Sequence, residues 1–156
     1  MDFRVQATVF LPAASEEHNA GMSETREAVL APVRRFYEMY DAHDLSLLGD
    51  LLAPGYVGEV NGQRVEGPEA AERVIRAFLV AFPDVRYELE DTLVEGARVA
   101  TRWRATATHL GPFAGVAPSG RRVTLVGLTL FRVAGGRIEA LWNVWDVHGL
   151  LEQVRA

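Results

Sequence analysis

The chain has 156 residues, 49% of them hydrophobic and 24% charged, which is typical of a soluble globular protein with one domain. Its 21 acidic residues outnumber 16 basic ones, and the formal net charge of −5 disfavours a nucleic-acid partner. It has no cysteine, which excludes disulfides, thiolate nucleophiles and sulfur-ligated metals. Because the sequence has neither an apolar run of about eighteen residues nor a signal-peptide pattern, we expect a cytoplasmic protein without membrane contact.

The N-terminal segment differs from the remainder of the chain. Alternating apolar residues from Phe3 to Val9 are followed by Pro12 and a polar stretch. We interpret residues 1–22 as an extension that is either flexible or adds an edge strand. Residues 23–156 are predicted to form one domain that carries the function.

Three helices are predicted before the main sheet. In residues 23–40, apolar side chains recur at spacings of three and four, and Pro32 either kinks this helix or lies in its first turn. Asp44 is expected to cap a short helix over residues 45–52. The third helix is predicted over residues 68–82, with a proline at its tolerated first position.

Strand patterns dominate the remaining sequence. Tyr56 to Val65 predicts a β-hairpin with Asn61-Gly62 at its tip, a dipeptide suited to two positive φ angles. Four further strands are predicted over residues 85–94, 98–109, 121–133 and 137–144. Hairpin connections between them indicate a curved antiparallel sheet, so the predicted fold class is α+β, with the helices against one face or end of the sheet.

The strand from Val99 to His109 has two contrasting faces. Trp103, two small alanines and His109 share one face, whereas Arg102 and Arg104 share the other. Because arginines are rarely buried, the Trp103 face is predicted to point toward the helices. The small residues between Trp103 and His109 leave room for a pocket.

The last strand is apolar on both faces, with Ile138, Trp142 and Val144 alternating with Leu141 and Trp145. Three helices can cover only one face of the sheet. We therefore expect the other face to pack against a second copy of the chain, giving a homodimer through the sheet.

Several segments occur in the order and spacing of a known family. They are Phe82-Pro83-Asp84-Val85, Glu95-Gly96, Val99 to Trp103, Ala107-Thr108-His109 with Gly111, Gly115 to Arg121, Phe131-Arg132, Gly136-Arg137-Ile138, Trp142 with Trp145-Asp146, and Gly149-Leu150-Leu151. Over about residues 23–154 the chain resembles the SnoaL-like polyketide cyclases of the nuclear transport factor two-like superfamily. The resemblance implies a cone-shaped barrel of a curved antiparallel sheet, closed by three N-terminal helices around an apolar pocket.

The resemblance also implies a chemistry, which is cofactor-free intramolecular aldol ring closure assisted by a cavity histidine and a cavity aspartate. His109 matches the histidine. In the last strand the family commonly reads Glu-His-Trp-Asp, whereas this chain reads Ala140-Leu141-Trp142-Asn143. An amide cannot transfer a proton near neutral pH, but its NH₂ group can stabilise an enolate oxygen. The proton would then move through His109, Asp146, Glu59 or water.

The candidate residues have competing interpretations. Asp146 either takes part in the chemistry or caps the C-terminal helical turn, Asn143 either contacts substrate or ties strand to loop, and Glu59 is either a pocket residue or solvated. The loop over residues 110–120 either closes the pocket or only connects strands. The catalytic candidates are His109, Asn143 and Asp146, and the substrate-binding candidates are Tyr37, Tyr40, Tyr56, Glu59, Trp103, Phe113, Leu141 and Trp145. The four histidines lack metal-ligand spacing, so neither a metal nor a cofactor is expected.

These observations predict an enzyme of natural-product or antibiotic biosynthesis. It would bind a hydrophobic small molecule, namely an aromatic polyketide-like intermediate, and promote ring closure or isomerisation by proton transfer. Two alternatives stay open. One is an accessory or tailoring protein for hydroxylation of an anthracycline-like polyketide, and the other is a noncatalytic protein that binds a hydrophobic ligand.

Overall fold

The computed structural model describes residues 24–156, so the prediction for residues 1–22 lies outside the described residues. The described chain has the predicted α+β class. Its elements in chain order are α1 (Arg26–Ala42), a 3₁₀ turn (Leu45–Leu47), α2 (Leu48–Leu51), β1 (Leu52–Val60), β2 (Gln63–Glu66), α3 (Pro68–Ala81), β3 (Arg86–Glu95), β4 (Arg98–Thr108), β5 (Arg122–Ala134), β6 (Arg137–Trp145) and α4 (Val147–Arg155).

Helix α1 begins well before its proline. The Thr25 hydroxyl caps the helix by accepting a hydrogen bond from the Ala28 N–H at 3.2 Å. The helix continues through Pro32 to Ala42, so placing Pro32 in the first turn was wrong. One side of α1 is buried, and Phe36 and Tyr37 lie on that side facing the sheet.

The β1–β2 hairpin and the start of α3 agree with the sequence prediction. Val60 pairs with Gln63, and the two residues between them, Asn61 and Gly62, have φ angles of 47° and 80°. Positive φ at both positions matches the right-handed twist of the flanking strands, which explains the Asn-Gly preference there. Pro68 is at the start of α3, where its missing N–H costs no helical hydrogen bond.

The sheet has the order β2-β1-β6-β5-β4-β3. The strands from β3 to β6 are antiparallel neighbours, as the hairpin connections predicted, and β1 is antiparallel to β2, whereas β1 and β6 are parallel, a pairing that was not predicted. The reason is topological: α3 carries the chain from β2 to the far edge, and the meander from β3 to β6 then returns to β1. The sheet is curved but open, with β2 and β3 as its edges, and it does not close into a barrel.

The helices cover the concave face of the sheet. Helix α1 contacts β3, β4 and β5, whereas α3 contacts β1 and β2. The predicted inner face of β4 is buried, including Trp103 at 2% exposure, while Arg102 and Arg104 on the opposite face are solvent-exposed. Within residues 24–156, none of the helices combines the length and apolar character needed to cross a bilayer.

Candidate active site

A cavity of about 310 Å³ lies between the concave face of the sheet, helices α1 and α3, and the loop that follows β4. Its walls are predominantly apolar and aromatic, as is usual for small-molecule sites. The lining residues are Phe36, Tyr37, Tyr40, Tyr56, Val60, Val65, Ala71, Val74, Ile75, Ala77, Phe78, Tyr87, Trp103, Pro112, Phe113, Ala114, Leu125, Thr129, Leu141, Asn143 and Trp145.

All four tyrosines of the chain line this cavity. Burial is the main cause that raises the pKa of Tyr37, Tyr40, Tyr56 and Tyr87 above the ordinary value. Tyr40 and Tyr87 have ring centroids 5.0 Å apart, and Tyr87 packs at 5.2 Å from the ring of Trp103. The cavity therefore presents neutral phenols on a contiguous aromatic wall.

A chain of hydrogen bonds crosses the sheet side of the cavity and ends at Asn143. The indole Nε1–H of Trp103 donates to the Thr129 hydroxyl at 3.0 Å, and that hydroxyl donates to Oδ1 of Asn143 at 3.3 Å. Within the described part of the chain, Nδ2 of Asn143 has no hydrogen-bond partner. Its two donors therefore stay available for a ligand oxygen.

A second chain begins at Tyr37. Its hydroxyl lies 2.7 Å from Oγ1 of Thr101, and Thr101 donates to the backbone carbonyl of Thr129 at 3.4 Å. Either oxygen can donate in the Tyr37–Thr101 bond, so the phenol can present a proton or a lone pair to the cavity, whereas Nδ2 of Asn143 presents donors only.

His109 occupies a corner outside the cavity wall. It is completely buried, and its Nδ1 accepts a hydrogen bond from the Ser119 backbone N–H at 3.2 Å, with the Ser119 hydroxyl at 3.0 Å. Its Nε2 has no partner among the described residues. The imidazole packs against Phe82, which contacts Phe113 of the cavity wall. His109 is therefore hydrogen-bonded to the loop at Ser119, and a single aromatic ring, that of Phe82, connects it to Phe113 of the cavity lining.

The two carboxylate candidates also lie outside the lining. Asp146 is exposed and caps α4, since its Oδ1 accepts from the Gly149 N–H at 2.8 Å. This agrees with the capping interpretation of the sequence. Glu59 is exposed on β1, where it pairs in register with Arg64 and Trp142.

The structure thus brings together most of the predicted substrate-binding residues. Seven of the eight line the cavity, and Glu59 does not. Of the three catalytic candidates, only Asn143 lines it. Sequence reasoning missed Tyr87 and Thr129, although both lie on inward-facing positions that strand alternation identifies. Their roles depend on partners from other strands, which a single sequence does not reveal.

The cavity has no group that titrates near neutral pH, because no histidine, aspartate or glutamate of residues 24–156 lines it. Over the same residues, no group of three or more such side chains is placed to hold a metal ion. The site can orient and polarise a ligand through hydrogen bonds. A proton carrier would have to come from elsewhere.

Comparison with known proteins identifies the family. The family model for SnoaL-like polyketide cyclases matches residues 31–154, which include every strand, most of α1 and nearly all of α4. This chain belongs to the SnoaL-like polyketide cyclase family. A comparison with curated proteins gave no significant match.

Solved structures support the placement in the SnoaL-like family. A Jannaschia sp. CCS1 protein, provisionally assigned as a SnoaL-like polyketide cyclase, is 27% identical with a TM-score of 0.79 over 87% of this chain and 99% of that one. AclR from Streptomyces galilaeus, provisionally assigned as a hydroxylase, is 27% identical (TM-score 0.77; 84% and 98% covered). IdmH from Streptomyces antibioticus, provisionally assigned as a polyketide cyclase, is 29% identical (TM-score 0.73; 82% and 99% covered).

Proposed function

We propose that this SnoaL-like protein binds an aromatic polyketide-like intermediate and promotes its ring closure or isomerisation without a cofactor. The observation that carries the proposal is the apolar cavity, which is lined by four neutral phenols and by the Asn143 amide. Aromatic walls favour a planar aromatic ligand, and the few polar groups fix its orientation. The chemical step is proton transfer at a carbon next to a carbonyl.

Asn143 is proposed to stabilise the intermediate of that step. Removing a proton from the carbon next to a carbonyl leaves negative charge on the enolate oxygen. The NH₂ group of Asn143, held in a predominantly apolar cavity, donates a hydrogen bond to this oxygen as the charge develops. Since no carboxylate or imidazole of the described residues lines the cavity, water is the proposed proton carrier. A carbon between two carbonyls is acidic enough for positioning to supply much of the rate.

Solvent exchange of a model ketone tests this proposal. The probe is 2-tetralone, an aromatic ketone with an acidic CH₂ group, incubated with the protein in D₂O and followed by ¹H NMR. We expect exchange faster than in buffer. Asn143→Leu should lower the exchange rate by about tenfold or more, because removing one oxyanion-hole donor from an enzyme typically lowers kcat by about 10²- to 10³-fold. The control is Val144→Leu, which changes the next residue on the opposite, exposed face.

A rate equal to that in buffer, with 2-tetralone still bound, would contradict the catalytic proposal. It would favour the noncatalytic ligand-binding alternative, which the absence of a titrating group in the lining also supports. The accessory hydroxylation alternative is supported by the similarity to AclR. Hydroxylation adds oxygen to a substrate, so product mass distinguishes it from ring closure or isomerisation.

We also propose that two copies associate through the outer face of the sheet. Five apolar side chains on β5 and β6 are 38 to 65% exposed there: Val126, Leu128, Leu130, Trp142 and Val144. Ion pairs border this outer apolar patch, with Arg102 and Asp91 beside it on β4 and β3, and Arg132 and Glu139 further along β5 and β6. A two-fold axis through the patch would bury its apolar centre and pair a rim that carries both charges.

A further inference from the structure

We infer that Thr129 is a positioning residue, which orients the Asn143 amide so that its NH₂ group faces the ligand. The inference rests on the proposed function, in which this group contacts a substrate oxygen. It extends that function by assigning the site a preference for ligands whose oxygen accepts a hydrogen bond there, such as a ketone or enolate.

The sheet register places the participants in one row. Thr101 on β4 pairs with Thr129 on β5, and Thr129 pairs with Asn143 on β6. Directly paired residues in antiparallel strands project to the same face with their Cβ atoms about 5 Å apart. Thr129 and Asn143 are therefore held at hydrogen-bonding reach by the backbone ladder rather than by a flexible loop.

The direction of each hydrogen bond follows from the groups themselves. An indole N–H can only donate, so Trp103 occupies a lone pair of the Thr129 hydroxyl. The single hydroxyl proton of Thr129 then points to Oδ1 of Asn143. Thr129 is only 4% exposed, so bulk solvent does not compete for that proton.

Rotation of the amide would reverse what the cavity presents. The oxygen and NH₂ ends of asparagine have nearly the same shape, and only their hydrogen bonds distinguish the two orientations. With Thr129 bound to Oδ1, a ligand meets the donor end. Without the hydroxyl, nothing else among the described residues holds Oδ1, and the rotated amide would turn an acceptor toward a ligand oxygen.

A matched pair of probes separates this polarity from cavity shape. The probes are 9-fluorenone and fluorene, which share a planar skeleton and differ in the ketone oxygen. Binding is measured by quenching of tryptophan fluorescence, since Trp103 and Trp145 line the cavity. The variants are Thr129→Val, which removes the hydroxyl, Thr129→Ser, which keeps it, Asn143→Leu, and the double variant Thr129→Val/Asn143→Leu. Circular dichroism and thermal unfolding check that each variant is folded.

We expect the affinity ratio of fluorenone to fluorene to fall about three- to tenfold in Thr129→Val, the range for one hydrogen bond. Thr129→Ser should retain the ratio, and fluorene affinity should change little in either variant. In the Asn143→Leu background, Thr129→Val should have no further effect on the ratio. A role confined to stability would lower the unfolding temperature without this dependence on Asn143.

The outcomes distinguish failure of the Thr129 positioning role from failure of the proposed Asn143 contact. If Asn143→Leu lowers the ratio and Thr129→Val does not, the positioning role is overturned while the Asn143 contact stands. If Asn143→Leu leaves the ratio unchanged, both the contact and the positioning role are overturned. If neither probe bound the folded wild-type protein, the cavity would not be their binding site, and both the Asn143 contact and the positioning role would be overturned.

Discussion

The inner and outer faces of strands β4 to β6 differ in the hydrogen-bond partners of their polar side chains and in the exposure of their apolar ones. On the inner face, the Thr101 hydroxyl bonds to the backbone carbonyl of Thr129 and the Thr129 hydroxyl bonds to Asn143, all beneath an aromatic cavity. On the outer face, arginines pair with carboxylates and Leu128 and Val144 remain exposed. The inner face is covered by helices of the same chain, whereas the outer face leaves these apolar side chains exposed.

This difference follows from the period of the β-strand, which sends successive side chains to opposite faces. One face of each strand can thus serve a ligand while the other serves a partner, with little interference between them. Variants on the outer face should change assembly, and variants on the inner face should change binding and turnover. The predictions below test that separation.

The largest effect is expected for a charge in the outer apolar patch. Leu128→Glu should convert the proposed dimer to a monomer, because burying the new carboxylate of each copy in an apolar interface costs several kcal/mol. Analytical ultracentrifugation at increasing protein concentration measures the change. The matched control is Leu110→Glu, an equally accessible leucine in the loop after β4 and away from the patch.

A monomeric wild-type protein at high concentration would contradict the outer-face interface directly. If Leu128→Glu were monomeric but also lost fluorenone binding, the two faces would be coupled and the proposed separation of roles would fail. Dissociation with unchanged ligand affinity is the expected result.

A smaller effect, a loss of stability, is expected where close packing on the inner face requires a glycine. A Cβ atom on Gly127 would collide with the ring of Trp103 and lie 2.8 Å from Cβ of Trp145. Gly127→Ala should lower the free energy of unfolding by about 1–3 kcal/mol through overpacking, and should weaken fluorene binding by moving Trp103. Denaturant unfolding measures the first effect.

The control for this change is Gly49→Ala in α2, where a Cβ atom meets no heavy atom within 4 Å. It should be neutral or slightly stabilising, because alanine favours a helix. If the two alanine variants were equally stable, close packing of Trp103 over Gly127 would not be a determinant of the cavity.

Much of this architecture was predictable from local patterns. The Asn61-Gly62 turn, the proline at the start of α3 and the two faces of β4 each depend on neighbours within a few residues. The parallel pairing of β1 with β6 was missed, because it depends on where a distant meander ends. Closure of the sheet into a barrel was expected from the resemblance and not from any local pattern, and the sheet is open instead.

The residues of the candidate site also fall into those that local patterns predicted correctly and those that they did not. Tyr37, Tyr56 and Trp103 were predicted to line a pocket from helix and strand periodicity together with the resemblance, and all three do. His109 is on the inward face of its strand, as alternation predicts, but it lies past the cavity end, against Phe82. Alternation determines the face of a side chain and not how far along the sheet the cavity extends.

Restoring a carboxylate to the inner face should increase proton transfer. In Asn143→Asp, burial in the apolar cavity should raise the pKa of the new carboxyl toward neutrality, which makes it an effective general base. We expect 2-tetralone exchange to accelerate by about tenfold or more, with a rate that rises with pH as this group ionises. Exchange no faster than in the wild type, with the probe bound, would mean that the cavity does not place a ketone at this position.

His109→Ala tests the catalytic role that the resemblance implies. If His109 carries the proton, exchange should fall at least about tenfold, since general acid–base catalysis typically contributes about 10²- to 10⁴-fold. The comparison variant is Ser119→Ala, which removes the hydroxyl beside Nδ1 but keeps the imidazole and the backbone donor. A lower unfolding temperature with an unchanged exchange rate in His109→Ala would assign the imidazole to bracing residues 110–120.

The smallest effect concerns the tyrosines that cover the inner face, and it appears only in alkaline solution. Burial raises the pKa of all four phenols in the folded protein, whereas in the unfolded chain they ionise near the ordinary value of about 10. Their contribution to stability is therefore complete below about pH 10 and is lost as the pH rises above it, because only the unfolded chain then releases the protons.

Ultraviolet difference absorbance of tyrosinate measures this effect directly. We expect little signal from the folded protein when the pH first exceeds 10, followed by ionisation that coincides with unfolding seen by circular dichroism. Because every tyrosine in the chain lines the cavity, no surface phenol obscures the result. If one phenol ionises early in the wild type, the variant Tyr56→Phe tests which tyrosine it is. Early ionisation that persists in Tyr56→Phe belongs to a different tyrosine, and it would show that water reaches that part of the cavity.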